Sequence, residues 1–220
     1  MKRTKHKKSL LRIYDLLYKR FGPRGWWPAD TRLEIIVGAI LTQNTAWVNV
    51  EKAIVNLKKA RALDLKQLSR IPEKKLAGLI RPAGYYNIKA GRIKNFLTFL
   101  DGEYKNSLEK MFKGNTRALR KELLSIKGIG PETADSILLY AGKKPVFVVD
   151  AYTRRIFSRH RYIDEDADYD HLQRLFSRNL APNVRLFNEF HALIVELGKN
   201  ICKSKKPLCN KCPIRRMRHD

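Results

Sequence analysis

Two glycines and an aspartate at a fixed spacing form the most informative pattern in this chain. Gly128 and Gly130 flank one apolar residue, and Asp150 follows twenty positions after the second glycine. Glycines at a helix junction can adopt positive φ and let backbone N–H groups approach an anion, since no Cβ intervenes. A DNA phosphate is the anion we expect. Asp150 closes an apolar run and precedes residues 151–155, so we expect its carboxylate at the start of a helix beside the same phosphate.

This pattern resembles the helix-hairpin-helix motif, with its trailing Gly/Pro-rich loop and aspartate, of the DNA glycosylases of the endonuclease III superfamily. The resemblance covers nearly the whole chain, because the segment Leu41-Thr42-Gln43-Asn44-Thr45 and the cysteines near the C-terminus fit as well. It implies two helical lobes, with a cleft between them that takes the DNA and the extruded base. By this analogy a central helical barrel lobe spans residues 30–144, with the helix-hairpin-helix at about 117–141. Residues 1–29 and 145–220 form the second helical lobe, which carries the C-terminal cysteine loop.

Size and charge restrict the kinds of partner. The 220 residues include 46 Lys and Arg against 21 Asp and Glu, a formal net charge of +25, and 44% of them are hydrophobic. Such a charge favours a polyanion, with nucleic acid the first candidate and an anionic membrane the second. No segment reaches the roughly 18 uncharged apolar residues of a membrane span. We therefore expect a cytoplasmic, nucleoid-associated monomer that binds double-stranded DNA with damaged bases and no membrane.

The spacing of apolar residues predicts an all-α fold. Apolar positions recur every three or four residues in the segments 33–41, 119–124, 172–176 and 190–197, which is typical of helices with one buried face. Gly and Pro residues separate these segments. Only residues 145–149 resemble a strand, and we interpret them as a buried connector because no partner strand is present.

Asp150 is the predicted catalytic residue. Breaking an N-glycosidic bond builds positive charge on the deoxyribose, so a fixed carboxylate beside the sugar stabilises the transition state and can orient the attacking water. The alternative is that Asp150 only caps the helix that follows, which is worth about 0.5–2 kcal/mol, and one carboxylate can do both. The predicted DNA contacts are Lys127, Gly128, Gly130 and Arg154. Contacts of this kind to phosphates position the protein on the duplex but do not recognise the base sequence.

Glu132 stands where strand-cutting members of the superfamily have a nucleophilic lysine, two residues after the second hairpin glycine. That lysine forms a Schiff base with the sugar, and a carboxylate cannot form an imine. The resemblance therefore implies a monofunctional glycosylase that leaves an intact abasic site. Lys127 is near enough in sequence to substitute, but we interpret it as a phosphate contact.

The tryptophans are the candidates for a base pocket: Trp26 and Trp27, followed by Pro28, and Trp47. Adjacent indoles cannot share one helix face, and the preceding Gly- and Pro-rich residues 22–25 indicate a loop. Alkylated purines such as 3-methyladenine are cationic, and an aromatic face attracts a cation by about 0.5–2 kcal/mol. Together with the carboxylate in the lysine position, these residues resemble the 3-methyladenine glycosylase branch. The alternative is that the tryptophans are core residues between the lobes.

Gln43 lies where polar residues interrupt an apolar helical segment. In the family that the chain resembles, the matching glutamine lies in a loop that enters the DNA and fills the space left by the flipped nucleotide. Gln43 is therefore predicted to be the residue that fills this space, which we call the plug. The alternative is that Gln43 lies at an ordinary helix C-terminus.

The cysteines form an incomplete version of a cluster motif. Cys202, Cys209 and Cys212 repeat three quarters of the superfamily's C-x6-C-x2-C-x5-C iron–sulfur pattern, whereas Arg218 occupies the fourth position and His219 is a shifted candidate ligand. A [4Fe–4S] cluster usually has four cysteine ligands. Two alternatives stay open: a cluster or other metal, or a metal-free loop whose lysines contact DNA phosphates. No other cofactor is expected.

The favoured function is a base excision glycosylase that hydrolyses the N-glycosidic bond of alkylated bases, chiefly 3-methyladenine. The runner-up is an endonuclease III-like glycosylase and AP lyase for oxidised pyrimidines or mismatches, which requires a different pocket and, for strand cleavage, a lysine. A third reading is a noncatalytic helix-hairpin-helix protein that only binds DNA, and such a protein does not require Asp150.

Overall fold

The computed structural model describes the backbone of residues 2–217 and the side chains of residues 6–217, and all regular structure in this part of the chain is helical. The α-helices are α1 (Lys2–Phe21), α2 (Arg32–Leu41), α3 (Trp47–Lys59), α4 (Leu65–Arg70), α5 (Glu73–Leu79), α6 (Tyr86–Tyr104), α7 (Leu108–Lys113), α8 (Thr116–Ser125), α9 (Pro131–Ser136), α10 (Ala151–Arg159), α11 (Tyr169–Ser177) and α12 (Val184–Asn200). Short 3₁₀ turns lie at Arg81–Ala83 and Cys209–Lys211, and a π-helical turn at Ile137–Ala141 continues α9.

The all-α prediction is confirmed, including the connector at residues 145–149. Residues 145–149 are neither helix nor strand, and Phe147, Val148 and Val149 are buried. They form the connector that leads into α10. No helix within residues 2–217 is long and apolar enough to cross a membrane.

Capping side chains explain where many of the helices begin. A side-chain oxygen of the preceding residue accepts a hydrogen bond from a backbone N–H of the first turn, which would otherwise have no partner. The caps of this kind are Thr31, Asp64, Ser107, Asn115, Asp150, Asp168 and Asn183.

The chain divides into two compact units, one formed by Met1–Pro28 with Pro145–Asp220 and the other by Ala29–Lys144. In the first unit, the ring of Phe147 stacks on Phe176 with a centroid separation of 3.7 Å, and Phe187 and Phe190 meet Phe147 edge-on. This aromatic cluster joins the connector to α11 and α12. It therefore fixes the backbone that immediately precedes Asp150.

The second unit is built around α2, in which residues 33–41 are all buried. Helix α2 packs against α6, α9 and the π-helical turn. Helices α8 and α9 form the predicted helix-hairpin-helix, with residues 126–130 between them. The segment that carries the glycines thus lies between two helices, as the sequence predicts.

Candidate active site

Asp150 lies at the N-terminus of α10, where the sequence predicts it. Its Oδ1 accepts hydrogen bonds from the Thr153 backbone N–H at 2.7 Å and from the Thr153 hydroxyl at 2.8 Å. Its backbone is extended, with φ −117° and ψ −177°, as expected for a capping residue. Asp150 therefore caps α10 through Oδ1, and its second carboxylate oxygen, Oδ2, takes no part in the cap.

The second oxygen faces a buried histidine of α12. Oδ2 of Asp150 lies 3.6 Å from Nε2 of His191, and the two side chains are 12% and 9% exposed. Burial opposes ionisation of Asp150, but His191 and the hydrogen bonds from Thr153 outweigh it, so the pKa of the carboxyl lies below its ordinary value. Asp150 is thus held as a nearly buried carboxylate, which is the state that stabilises a developing cation.

The Trp26–Trp27 pair belongs to the same unit and lies in a loop, in agreement with the sequence. The two indoles are half-buried, with centroids 5.2 Å apart and an interplanar angle of 49°. Arg24 attaches this loop to α12: its backbone N–H donates to Glu189 at 2.7 Å, and its guanidinium pairs with Glu196 at 3.1 Å. Helix α12 therefore supports both the tryptophan loop and, through His191, the aspartate.

In the other unit the hairpin has the predicted positive φ at Gly128 but not at Gly130, whose φ is −92°. Gly128 has φ +93°, and a Cβ there would overlap the side chain of Arg92, whereas a Cβ on Gly130 would meet nothing within 4 Å. Ile129, between them, is buried, and Lys127 is exposed. Gly128 is therefore required by the fold of the hairpin, while Gly130 leaves its surface open to a ligand.

The side chain of Gln43 is hydrogen-bonded to the hairpin. Its amide nitrogen donates to the carbonyl of Gly128 at 3.0 Å and to the hydroxyl of Thr133 at 2.9 Å, and its amide oxygen accepts from Arg92. The next residue, Asn44, is exposed and has φ +51°. Gln43 thus holds the turn after α2 against the hairpin, and the side chain that this turn displays is that of Asn44.

Lys89 is a buried lysine that joins two turns of this unit. Its side chain is almost wholly covered, and Nζ donates to the carbonyls of Leu41 and Ala83 at 2.8 Å each and to the Thr45 hydroxyl at 2.6 Å. Burial, with a smaller contribution from a neighbouring guanidinium, lowers the pKa of Lys89 to about 8. The turn after α2 is thereby linked to the turn before α6.

The turn before α6 displays an aromatic side chain. Tyr85 follows Gly84, has φ +45° and is 68% exposed. An exposed tyrosine in a left-handed conformation is unusual. Sequence reasoning did not single out Tyr85, although its place after Pro82-Ala83-Gly84 marks a turn.

The remaining predicted residues are placed as follows. Glu132 is exposed in the first turn of α9. Trp47 begins α3, in the unit that does not contain the other two tryptophans, and its indole N–H donates to Glu51 at 2.7 Å. Pro28 is exposed, and the guanidinium of Arg154 donates to the carbonyl of Ala167. Part of the donor capacity of Arg154 is therefore used within the protein.

The described cysteines do not form a cluster ligand set. Among the side chains of residues 6–217, no group of three or more His, Cys, Asp or Glu has the arrangement of a metal site, and Arg218 and His219 lie outside the described residues. Cys202 is buried, Cys209 is exposed, and burial together with the other two thiols raises the pKa of Cys212. Three thiols supply one ligand fewer than the four that a [4Fe–4S] cluster usually has.

Arginines of α10 hold the backbone of the cysteine loop. Arg155 donates to the carbonyls of Gly198 and Cys202 at 2.9 and 2.8 Å. Arg159 donates to the carbonyls of Lys203 and Ser204 at 2.8 and 2.6 Å. The loop is therefore ordered by the same helix that begins at Asp150.

Comparison with known proteins gives one consistent family. The sequence model of the HhH-GPD superfamily of base excision DNA repair proteins matches residues 37–182. A protein of Methanocaldococcus jannaschii, provisionally named as a DNA repair glycosylase, is 51% identical over 208 residues, which are 94% of each chain. An endonuclease III of Thermotoga maritima is 29% identical over 196 residues, 89% of this chain and 85% of its own.

Solved structures show the same fold. The 3-methyladenine DNA glycosylase of H. pylori, bound to 1,N6-ethenoadenine, superposes with a TM-score of 0.74 at 35% identity, covering 88% of this chain and 97% of its own. A non-covalent complex of endonuclease III with DNA has a TM-score of 0.81 at 20% identity, covering 97% of this chain and 95% of its own.

Proposed function

Since the chain belongs to the HhH-GPD superfamily of base excision DNA repair proteins, we propose that it is a monofunctional DNA glycosylase for alkylated bases, chiefly 3-methyladenine. Its product is an abasic site in an intact strand. The observation that carries the proposal is the carboxylate of Asp150, ionised and nearly buried at the N-terminus of α10.

Asp150 suits the hydrolysis of an N-glycosidic bond. As the bond to the base breaks, positive charge develops on the deoxyribose, and a fixed carboxylate in a low-dielectric environment stabilises it strongly. The carboxylate accepts a proton from the attacking water, the water oxygen bonds to C1′, and the base leaves with the bonding electrons. The hydrogen bonds from Thr153 keep the carboxylate in place before the substrate arrives.

The tryptophan loop supports a cationic substrate. Trp26 and Trp27 are half-buried, and Arg24 anchors their loop to α12. Base–aromatic stacking is worth about 1–3 kcal/mol per base, and a positively charged alkylpurine gains a cation–π contribution. Such a base is also a good leaving group, so selection by stacking requires no general acid. The ethenoadenine bound to the H. pylori relative is likewise a modified purine.

Glu132 supports the absence of lyase activity. It occupies the first turn of α9, at the position where the strand-cutting members of the superfamily have their lysine. The relatives that are named endonuclease III make the AP lyase the second candidate function. Lys127 is exposed at the hairpin and is the lysine to test for that activity.

DNA binding is supported by the hairpin, by the net charge of +25 and by the DNA complexes among the similar structures. Gly130 offers an open backbone to a phosphate. We assign the space-filling role to Asn44 rather than Gln43, because the Gln43 amide is bonded to Gly128 and Thr133 while Asn44 is exposed. Tyr85, exposed in the neighbouring turn, is a second side chain available for stacking.

The test separates base release from strand cleavage. Duplexes containing 3-methyladenine, 7-methylguanine, thymine glycol or a T·G mismatch are incubated with the protein, and free base and strand breaks are assayed independently. We expect release of 3-methyladenine and no breaks until alkali is added. Trapping of a covalent adduct with borohydride would overturn the monofunctional assignment, and Lys127→Gln would then show whether Lys127 forms it. Release of thymine glycol or thymine alone would favour the second candidate.

A further inference from the structure

The two oxygens of Asp150 have different surroundings. Oδ1 accepts both hydrogen bonds from Thr153, at 2.7 and 2.8 Å. Oδ2 faces Nε2 of His191 at 3.6 Å, beyond the range of a direct N–H···O bond. Thr153 alone fixes one oxygen and allows the carboxylate to swing about it, so the direction of Oδ2 depends on His191.

Close packing fixes the separation of the two helices that carry these residues. Gly198 of α12 lies against the ring of Tyr152 of α10, and a Cβ at Gly198 would overlap that ring. Arg155 donates to the Gly198 carbonyl at 2.9 Å, and its guanidinium lies over the Tyr152 ring, 5.1 Å from the centroid. The Gly198–Tyr152 contact limits how closely the two helices approach, and the Arg155 hydrogen bond limits how far they separate, so together they hold His191 opposite the carboxylate.

We propose that His191 is a positioning residue for base excision, which fixes the plane of the Asp150 carboxylate by facing its Oδ2. The proposal rests on the proposed glycosylase function. With its hydrogen on Nε2, the imidazole presents the positive end of an N–H dipole to Oδ2, which favours the carboxylate over the carboxylic acid and resists its rotation. A carboxylate that is fixed before the reaction requires no reorganisation as the sugar becomes positive.

Three substitutions separate positioning from packing. His191→Leu fills the space without a donor. His191→Gln can place its amide nitrogen near the position of Nε2, whereas the shorter His191→Asn places its amide near the position of Nδ1. We expect the single-turnover rate of 3-methyladenine release to fall at least about tenfold for Leu and Asn and to recover to within about threefold for Gln, with DNA affinity unchanged.

The control is Leu193→Ala, two residues later in the same helix. Leu193 is fully buried and does not belong to the aromatic cluster that holds the connector before Asp150, so it reports what loosened packing of α12 does to the rate. Comparable losses in all three His191 variants and in Leu193→Ala would overturn the positioning role. Rates within about twofold of wild type for all three variants would also overturn it, while release by the wild type would leave the glycosylase function intact.

A stability measurement tests the contact without relying on activity. The wild type, His191→Leu, Asp150→Asn and the double variant are compared by urea unfolding at pH 7. We expect the effects of the two substitutions on the unfolding equilibrium constant to depart from a simple product by at least about threefold, because the residues interact directly. If the wild type releases no base, the glycosylase proposal fails. In that case, effects of the two substitutions on the unfolding equilibrium constant that simply multiply would overturn the contact between His191 and Asp150 as well. Effects that depart from the product would support the contact.

Discussion

Lys89 provides a sharp test of the packing in the helix-hairpin-helix unit. Its ammonium is almost wholly buried, where it donates to Leu41, Thr45 and Ala83. Its pKa falls from an ordinary 10.5 to about 8. Since each pH unit of difference corresponds to about 1.4 kcal/mol, proton linkage at this one side chain amounts to about 3 kcal/mol.

The direction in which stability changes with pH depends on whether the folded or the unfolded protein holds the Lys89 proton. Between pH 8 and 10.5 the folded protein has released the Lys89 proton and the unfolded chain retains it. Raising the pH therefore favours the folded state in this window. The linked stability is fully present above pH 10.5 and is lost as the pH falls to about 8.

The assay compares the wild type with Lys89→Met by urea unfolding from pH 7 to 10. We expect the free energy of unfolding of the wild type to rise by about 2–3 kcal/mol relative to the variant across this range. Lys59→Met, at an exposed position of α3, controls for the loss of one positive charge. A constant difference between wild type and Lys89→Met, or one that falls with pH, would refute the argument, since the hydrogen-bond acceptors would then hold the proton more strongly than burial opposes it.

Three further predictions concern the proposed DNA and base contacts. Gly128→Ala should lower stability by about 1–3 kcal/mol, because its φ of +93° and its close neighbour exclude a side chain, whereas Gly130→Ala should leave the melting temperature unchanged and weaken binding of duplex DNA, as measured by fluorescence anisotropy. Asn44→Ala should slow base release from duplex but not from single-stranded DNA, while Gln43→Ala should lower the melting temperature through the loss of its bonds to the hairpin; the reverse assignment of effects would restore Gln43 as the plug. Arg24→Ala should free the tryptophan loop and raise KM for alkylated duplex about three- to tenfold with a smaller change in kcat, and an unchanged KM would remove the loop from the base pocket.

Local sequence patterns predicted the parts of the structure that local forces determine. The helical spacing of apolar residues, the breakers and the connector at residues 145–149 all follow from near neighbours along the chain. The position of Asp150 at a helix start follows likewise, because a capping side chain acts on a backbone N–H three residues away. The positive φ of Gly128 was predictable for the same reason.

Contacts between distant residues could not be predicted in this way. Gln43 is bonded to residues 85 and 90 positions away, and Arg24 reaches Glu189 across 165 positions. These contacts depend on how the helices pack, which single-sequence periodicity does not encode. His191 left a faint signal as a polar residue within the apolar stripe of residues 190–197, but a buried histidine has many uses, and only the fold shows that Asp150 lies opposite it.

The cysteine loop is held by contacts that its spacing motif does not encode. Its three cysteines keep the cluster spacing, the described side chains form no group of metal ligands, and Arg155 and Arg159 hold the loop through its carbonyls. Arginine–carbonyl bonds have no sequence signature, so this arrangement was not foreseeable.

The most direct test of the account is the rate of 3-methyladenine release by Asp150→Asn under single-turnover conditions, measured beside its affinity for the same duplex. Asparagine keeps the size and the capping oxygen but removes the charge, so α10 should remain folded and DNA binding should stay within about twofold. We predict that release falls at least about a hundredfold, as for the loss of one preorganised electrostatic group in other enzymes. Release at the wild-type rate by a folded, DNA-binding Asp150→Asn protein would contradict the central claim that this carboxylate drives base excision.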